Sequence, residues 1–181
     1  MTAVTTFDPF HNRLCRDIRN ALSISFIQAL RQENMSPVVA VIEKFKAKSP
    51  APFMTDYMDN RLMRYYEVMD DMIFRKIATA DTYGVACSIW NRRLFFEFHE
   101  WLEHAWHSAA GIEKRVLQAL IRAAGAYLLL EAGRKTGAKR LAAKAANALK
   151  ETRNSVPEAF DVSLLIDKLT AFDSTPPRFA C

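Results

Sequence analysis

The sequence predicts an all-α fold: a compact bundle of about seven helices with short loops and no sheet. Only five of the 181 residues are glycine, and the residues that favour helices (Ala, Leu, Arg, Lys and Glu) are plentiful. Apolar residues recur every three or four positions along most of the chain, which is the pattern of amphipathic helices. No run of alternating apolar and polar residues indicates a strand. Folding at this length buries about 70% of the surface of the unfolded chain, so the fold needs neither a metal nor a disulfide.

Three helices are predicted in the first part of the chain. Asp8-Pro9 and Ser36-Pro37 each combine a helix-capping residue with a proline at the first helical position, and apolar residues at helical spacing follow both. The segment SPAP at residues 49–52 is the clearest break, because each proline disfavours helix at the residue before it. A third helix follows this break. We expect residues 1–80 to form an N-terminal helical extension that packs on the rest of the chain.

The second part of the chain carries further helices, separated by short turns that often contain glycine. They begin or lie at the following places: Asp81-Thr82, Phe95 to His107, Glu113 to Glu131, Leu141 to Leu149, and Val162 to Phe172. We expect residues 81–150 to form the helical core. Residues 151–181 are expected to supply a C-terminal helix and a loose tail.

Net charge bears on the partners of this protein. The chain carries a net charge of +5, and part of the excess lies between Arg134 and Arg153. A basic face of this kind can meet nucleic acid or an acidic partner. The segment has no aromatic residue that could stack on bases, so we expect a solvated helix surface rather than a nucleic-acid partner.

The cysteines and the apolar runs bear on the location of the protein. Cys15, Cys87 and Cys181 are far apart and odd in number, so we expect no disulfide framework, and a reducing cytoplasm fits best. The longest apolar run, Ala123 to Leu130, is too short to span a bilayer. The first residues have no apolar core of the kind that signal peptides carry. We therefore expect no membrane association.

The segment FFEFHEWLEHAWH, Phe95 to His107, concentrates the residues that carry chemistry. It holds three of the four histidines, two of the three tryptophans and three glutamates. On a helix with about 100° between residues, one side is apolar and faces the core. The adjoining arc carries His99, Glu100 and Glu103, and it is edged by Phe96 and Trp106. His104 and His107 are expected at the surface.

An imidazole and two carboxylates at this spacing can bind a divalent cation, and zinc, manganese or iron would suit them. We expect His99, Glu100 and Glu103 to hold the cation. Glu97, Glu100 and Glu103 are the candidates for the general base that activates a water. The zinc-protease pattern H-E-x-x-H is absent, because Glu103 occupies the place of its second histidine.

Two alternatives to a metal site remain open at this stage. The arc can serve acid–base or ligand-binding chemistry without a metal, or His99 and Glu103 can form a purely structural pair beside Trp106. Arg122 lies on a mostly apolar helix, where it either pairs with the two carboxylates or points outward. In the structural alternative, Phe96 and Trp101 dock a protein partner or a second copy of the chain.

The segment from Trp90 to Leu149 resembles an uncharacterised family of helical bacterial and archaeal proteins, catalogued as domain of unknown function 309. The hallmark of this family is similar to E-x-H-E-x-x-E-x-x-W, and this chain carries it from Glu97 to Trp106. The chain departs from the family further on, where Arg122, Leu129 and Arg134 replace residues that tend to be glutamine, histidine and asparagine.

The resemblance implies a small all-α bundle, and the label of metal-dependent hydrolase that some catalogues give the family follows from the same histidine and glutamates. Taken together, the sequence predicts a cytoplasmic helical protein with a metal-dependent hydrolytic site that acts on an unidentified small molecule or protein. A non-enzymatic binding or assembly module, with a homo-oligomer as one version, is the alternative.

Overall fold

The computed structural model describes residues 6–181, and every regular element in this range is helical. No strand occurs among these residues, which confirms the prediction of an all-α bundle. No helix in the described range is both long enough and apolar enough to cross a membrane. The elements, in chain order, are α1 (Arg13–Gln32), α2 (Ser36–Lys46), α3 (Pro52–Arg75), α4 (Thr82–Asn91), α5 (Phe95–Ser108), α6 (Gly111–Glu131), α7 (Lys135–Thr152), a 3₁₀ turn (Arg153–Ser155) and α8 (Val162–Ala171).

The described chain divides into two compact units, and the division falls between Ile73 and Phe74. In the first unit α1 packs against α2, and the ring of Phe26 stacks on the ring of Tyr65 with 3.9 Å between centroids. Both rings are fully buried. The boundary near residue 80, which the sequence suggested, stays a prediction.

The start of the first helix differs from the prediction. Asp8-Pro9 was expected to begin it, but α1 begins at Arg13, and the side-chain oxygen of Asn12 accepts a hydrogen bond from the backbone N–H of Cys15 at 3.1 Å. Asp8 instead accepts bonds from the backbone N–H groups of the residues two and three positions later, which closes a separate turn. Both residues are good helix caps, so sequence alone could not choose between them.

In the second unit α6 lies between α5 and α7, while α4 packs on α5 and α8 packs on α7. Small residues bring α6 and α7 close together. A Cβ atom added to Gly125 of α6 would lie only 2.8 Å from Cδ2 of Leu141. The buried face of α7 consists largely of alanine: Ala138, Ala142, Ala145 and Ala146.

An aromatic cluster around Trp90 joins the elements of the second unit. Trp90, on α4, is 1% exposed. Its ring meets Phe95 and Phe98 of α5 edge-on, each with 5.1 Å between centroids, and Tyr127 of α6 at 5.6 Å. The ring of Phe179 lies at 5.4 Å from the ring of Trp90 in a tilted arrangement. Edge-to-face contacts of this kind each contribute about 1 kcal/mol beyond the area they bury.

The last residues are not the loose tail that the sequence suggested. The indole N–H of Trp90 donates to the carbonyl of Pro177 at 2.8 Å, and Phe179 is buried. Cys87 and Cys181 form a disulfide across 94 residues of sequence. The proline-rich composition indicated a lack of helix correctly, but it carries no information about where an extended segment packs.

The sequence led us to expect no disulfide framework, whereas the structure has one disulfide. Only Cys15, buried on α1, is free. A pair so far apart in sequence has no local spacing that could reveal it. The prediction of a cytoplasmic location rested partly on the absence of disulfides. It stays a prediction, but the cysteines no longer support it.

Tyr127 gives the fold a measurable dependence on pH. Burial, and secondarily the charge of Asp173, raise the pKa of Tyr127 from 10.0 to about 12. The folded state therefore favours the neutral phenol. The resulting stabilisation is fully present below pH 10 and is lost as the pH rises towards 12.

We expect the Tyr127→Phe variant not to lose this stabilisation at high pH. The buried hydroxyl has no hydrogen-bond partner among the described residues, so the substitution should change the free energy of unfolding near pH 7 by less than about 1 kcal/mol. Between pH 10 and 12 the variant should lose about 2 kcal/mol less than the wild type. Urea unfolding over this pH range measures the difference, with Tyr66→Phe at an exposed position as the control. Parallel pH curves for Tyr127→Phe and the wild type would contradict the assignment.

Candidate metal centre

The turn before α5 fixes how this helix enters the second unit. Arg93 adopts a left-handed conformation with φ 55°. The N–H of Leu94 donates to the carbonyl of Ile89 at 3.3 Å, and the N–H of Arg93 donates to Trp90 at 2.8 Å. This pair of bonds is the Schellman ending of a helix, completed here by two buried apolar side chains, Leu94 and Ile89. The guanidinium of Arg93 also pairs with Glu131 at 3.0 Å, which ties the turn to the end of α6.

The inner face of α5 follows the predicted wheel. Phe95, Phe98 and Leu102 are buried, and the first two pack on Trp90. His104 and His107 are exposed, as expected. Because α5 turns its apolar face inward, the adjoining arc is held at the edge of the buried region.

The structure brings His99, Glu100 and Glu103 together on this edge. One ligand atom from each residue can be chosen so that all three lie within 4.8 Å of one another. Nε2 of His99 lies 3.8 Å from Oε2 of Glu103, and these side chains are 34% and 42% exposed. The group is thus reachable from solvent and partly sheltered. The described residues hold no other group of three or more such side chains with this spacing.

Glu97, the other candidate base, has a different environment. Its side chain is fully buried at 0% exposure, and it is not a member of the group of three. A general base must reach the water that it activates. Glu100 and Glu103 are therefore better placed for that role.

Two aromatic residues border the group. Phe96 precedes His99 by three positions and is half-buried. Trp106 follows Glu103 by three positions, and the ammonium of Lys114 lies over its ring at 4.4 Å from the centroid. This cation–π contact holds the indole against α6. Their helical spacing puts both positions next to the arc, and their role as walls of a site stays a prediction.

Arg122 does not compete for the carboxylates. It is half-buried on α6, and it forms no hydrogen bond and no ion pair within 4.0 Å with any described residue. An arginine that bridged Glu100 and Glu103 would have neutralised the group. The structure therefore does not show the alternative in which Arg122 pairs with Glu100 and Glu103.

Trp101 docks a partner only in the structural alternative, and its side chain has little exposed surface for that role. The side chain is 7% exposed, and its indole N–H donates to the backbone oxygen of Thr82 at 2.9 Å. Trp101 therefore ties α5 to the start of α4. The sequence pattern missed this because α4 covers a wider arc of α5 than the apolar stripe alone indicates.

Comparison with known protein families places the group within a family domain. Residues 83–141 match the sequence model of one family, described as Domain of unknown function (DUF309). The matched span holds His99, Glu100, Glu103 and Arg122, and it leaves out the tail. Searches among curated proteins and among solved structures found no match. The chain therefore carries, over residues 83–141, a match to the DUF309 family, which is the family that its sequence resembles.

Proposed function

We propose that this protein binds a divalent cation at the exposed edge of α5 and uses the cation for hydrolysis. The observation that carries the proposal is the set of three ligand atoms, from His99, Glu100 and Glu103, within 4.8 Å of one another. Zinc, manganese and iron all accept imidazole nitrogen together with carboxylate oxygen. No organic cofactor is proposed.

The environment of the group supports a catalytic rather than a closed structural site. Structural zinc sites use four protein ligands, whereas catalytic sites use three and leave a position for water or substrate. His99 and Glu103 are each about one-third exposed or more, so solvent can reach the remaining position.

The residues of the chain have separate tasks in this proposal. A bound cation supplies Lewis acidity and makes a bound water easier to deprotonate. His99 and one glutamate hold the cation, and the other glutamate accepts the proton at a carboxylate oxygen. Phe96 and Trp106 limit the access of bulk water from the two ends of the arc.

Metal binding is the first test. We expect the purified wild type to bind one zinc or manganese ion per chain, and Glu103→Gln and His99→Ala to weaken binding by about tenfold or more. His104→Ala is the matched control, because His104 is an exposed histidine of the same helix. Calorimetric titration measures the affinities. Equal affinity in all four proteins, or no binding by the wild type, would contradict the site.

Hydrolysis is tested separately with chromogenic carboxylic and phosphoric esters. We expect hydrolysis that a chelator abolishes and added metal restores, and that falls in the Glu100→Gln and Glu103→Gln variants but not in His104→Ala. Turnover that is indifferent to the chelator would sink the proposed mechanism. The absence of turnover by a protein that is shown to hold the metal would also contradict the hydrolytic mechanism. Only the proposal of metal binding would then remain.

A second candidate function is a binding or assembly module in which the motif is structural. It is favoured by the burial of most of the apolar motif residues, of which Phe95 and Phe98 are fully enclosed. Of the two aromatic residues that this candidate function assigns to a partner, Phe96 is half-buried and Trp101 is buried. Light scattering that shows a strict monomer would exclude the homo-oligomeric version.

Stability separates the two candidates. The 3.8 Å separation and the partial exposure of His99 and Glu103 are those of a surface pair, which contributes less than about 1 kcal/mol. We therefore expect His99→Ala, without metal, to keep the melting temperature of the wild type. Trp101→Phe is the positive control, because it removes the bond to Thr82 and should cost about 1 kcal/mol. A loss of several degrees in His99→Ala would favour the structural role.

A further inference from the structure

The tail segment, residues 174–181, runs over the second unit as an extended peptide. Its residues alternate in burial: Pro177 and Phe179 are buried, while Arg178 and Ala180 are exposed. This period of two is that of an extended strand. Yet the main chain of the tail segment forms no hydrogen bond with the main chain of any other described element. Side chains of the second unit therefore hold the tail segment, as they would hold a bound peptide ligand.

Three side chains of the second unit bind the main chain of the tail. The indole N–H of Trp90 donates to the carbonyl of Pro177 at 2.8 Å. The amide of Asn91 pairs with both polar groups of Phe179: its NH₂ donates to the carbonyl at 2.8 Å, and its oxygen accepts from the backbone N–H at 2.9 Å. Arg75 donates to the main-chain oxygen of Cys181. The asparagine thus takes the place that a neighbouring strand would occupy.

The side chain of Phe179 fills an aromatic pocket. It is 6% exposed, and its ring centroid lies 5.4 Å from that of Trp90 and 5.0 Å from that of Phe160. Peptide-binding sites commonly combine main-chain hydrogen bonds, which supply affinity, with a pocket for one side chain, which supplies specificity. Both parts are present here.

We propose that Trp90, Asn91 and Phe160 form a peptide groove, a binding site for an extended segment that carries proline and, two residues later, an aromatic residue. The tail segment of this chain is its resident ligand. The groove is independent of the proposed metal site, and Trp90 and Asn91 lie within the span that matches the family, whereas the tail lies outside it. A partner of the same chemistry can bind only when the tail has left.

The Cys87–Cys181 disulfide controls that exchange. Cys87 is fully buried beside the groove on α4, and the bond ties the far end of the tail to it. A dithiol reductant supplies two electrons and two protons, becomes a disulfide itself, and leaves two thiols on the protein. The tail remains tethered through α8 after reduction, so its effective concentration at the groove stays high, on the order of millimolar.

The experiment uses a full-length chain with a weakened tail. In this acceptor variant, Phe179→Ala removes the aromatic anchor and Cys181→Ser removes the disulfide. The probe is a fluorescent peptide of sequence STPPRFAS, which is residues 174–181 with serine in place of the final cysteine. Fluorescence anisotropy should show binding to the acceptor at least about tenfold tighter than to the oxidised wild type, whose groove is filled.

Two altered peptides identify the contacts. A peptide with alanine in place of phenylalanine lacks the anchor, and a peptide methylated on the phenylalanine backbone nitrogen cannot donate to Asn91. Each should bind the acceptor about tenfold more weakly than the parent peptide. Asn91→Ala in the acceptor removes both bonds to the phenylalanine of the peptide, so it should weaken binding of the parent peptide at least as much as methylation does. If this variant fails to fold, the methylated peptide still tests one of the two bonds on the unchanged acceptor.

The proposal is overturned by an acceptor that keeps the thermal unfolding profile of the reduced wild type and does not bind the parent peptide. Equal binding of the parent, alanine and methylated peptides would also overturn it, because that result would mean association without the groove.

Discussion

The packing of α5 against the indole of Trp90 fixes the arrangement of the second unit. Phe95 and Phe98 meet this ring edge-on, so α5 cannot rotate about its axis without losing both contacts. The short turn through Arg93 sets the direction of the helix. Because the apolar face is fixed, the neighbouring arc is fixed as well, and His99 is held at the boundary between core and solvent. The same indole donates its N–H to the carbonyl of Pro177 in the tail, so one buried residue contacts both α5 and the segment in the proposed peptide groove.

The motif of α5 therefore carries residues of two kinds. Phe95, Phe98, Trp101 and Glu97 are buried and belong to the packing. Glu100 and Glu103 are only partly buried, and together with His99 they form a group that could hold a divalent cation. A change on the buried side should disturb stability first, whereas a change on the edge should disturb metal binding with little effect on folding.

The sequence could predict what depends on local spacing. The apolar periodicity placed the helices and the edge of α5, since residues three and four apart must be neighbours on a helix. It could not predict contacts between distant parts of the chain. The Cys87–Cys181 disulfide spans 94 residues of sequence. Trp101 is bound by Thr82 at the start of α4, a contact that the spacing within α5 does not reveal. The choice between Asp8 and Asn12 as the cap of α1 depended on small differences between two good caps. The resemblance to DUF309 could be recognised in the sequence because its motif lies within one helix, and the family model matches residues 83–141.

A crystal of the wild type soaked in manganese, with diffraction recorded at a wavelength that reveals manganese by anomalous scattering, would test the assignment of the edge of α5. We expect one anomalous peak within bonding distance of a ring nitrogen of His99 and of a carboxylate oxygen of Glu100 or Glu103. Ordered side chains at these positions, open to solvent and without a peak, would contradict it.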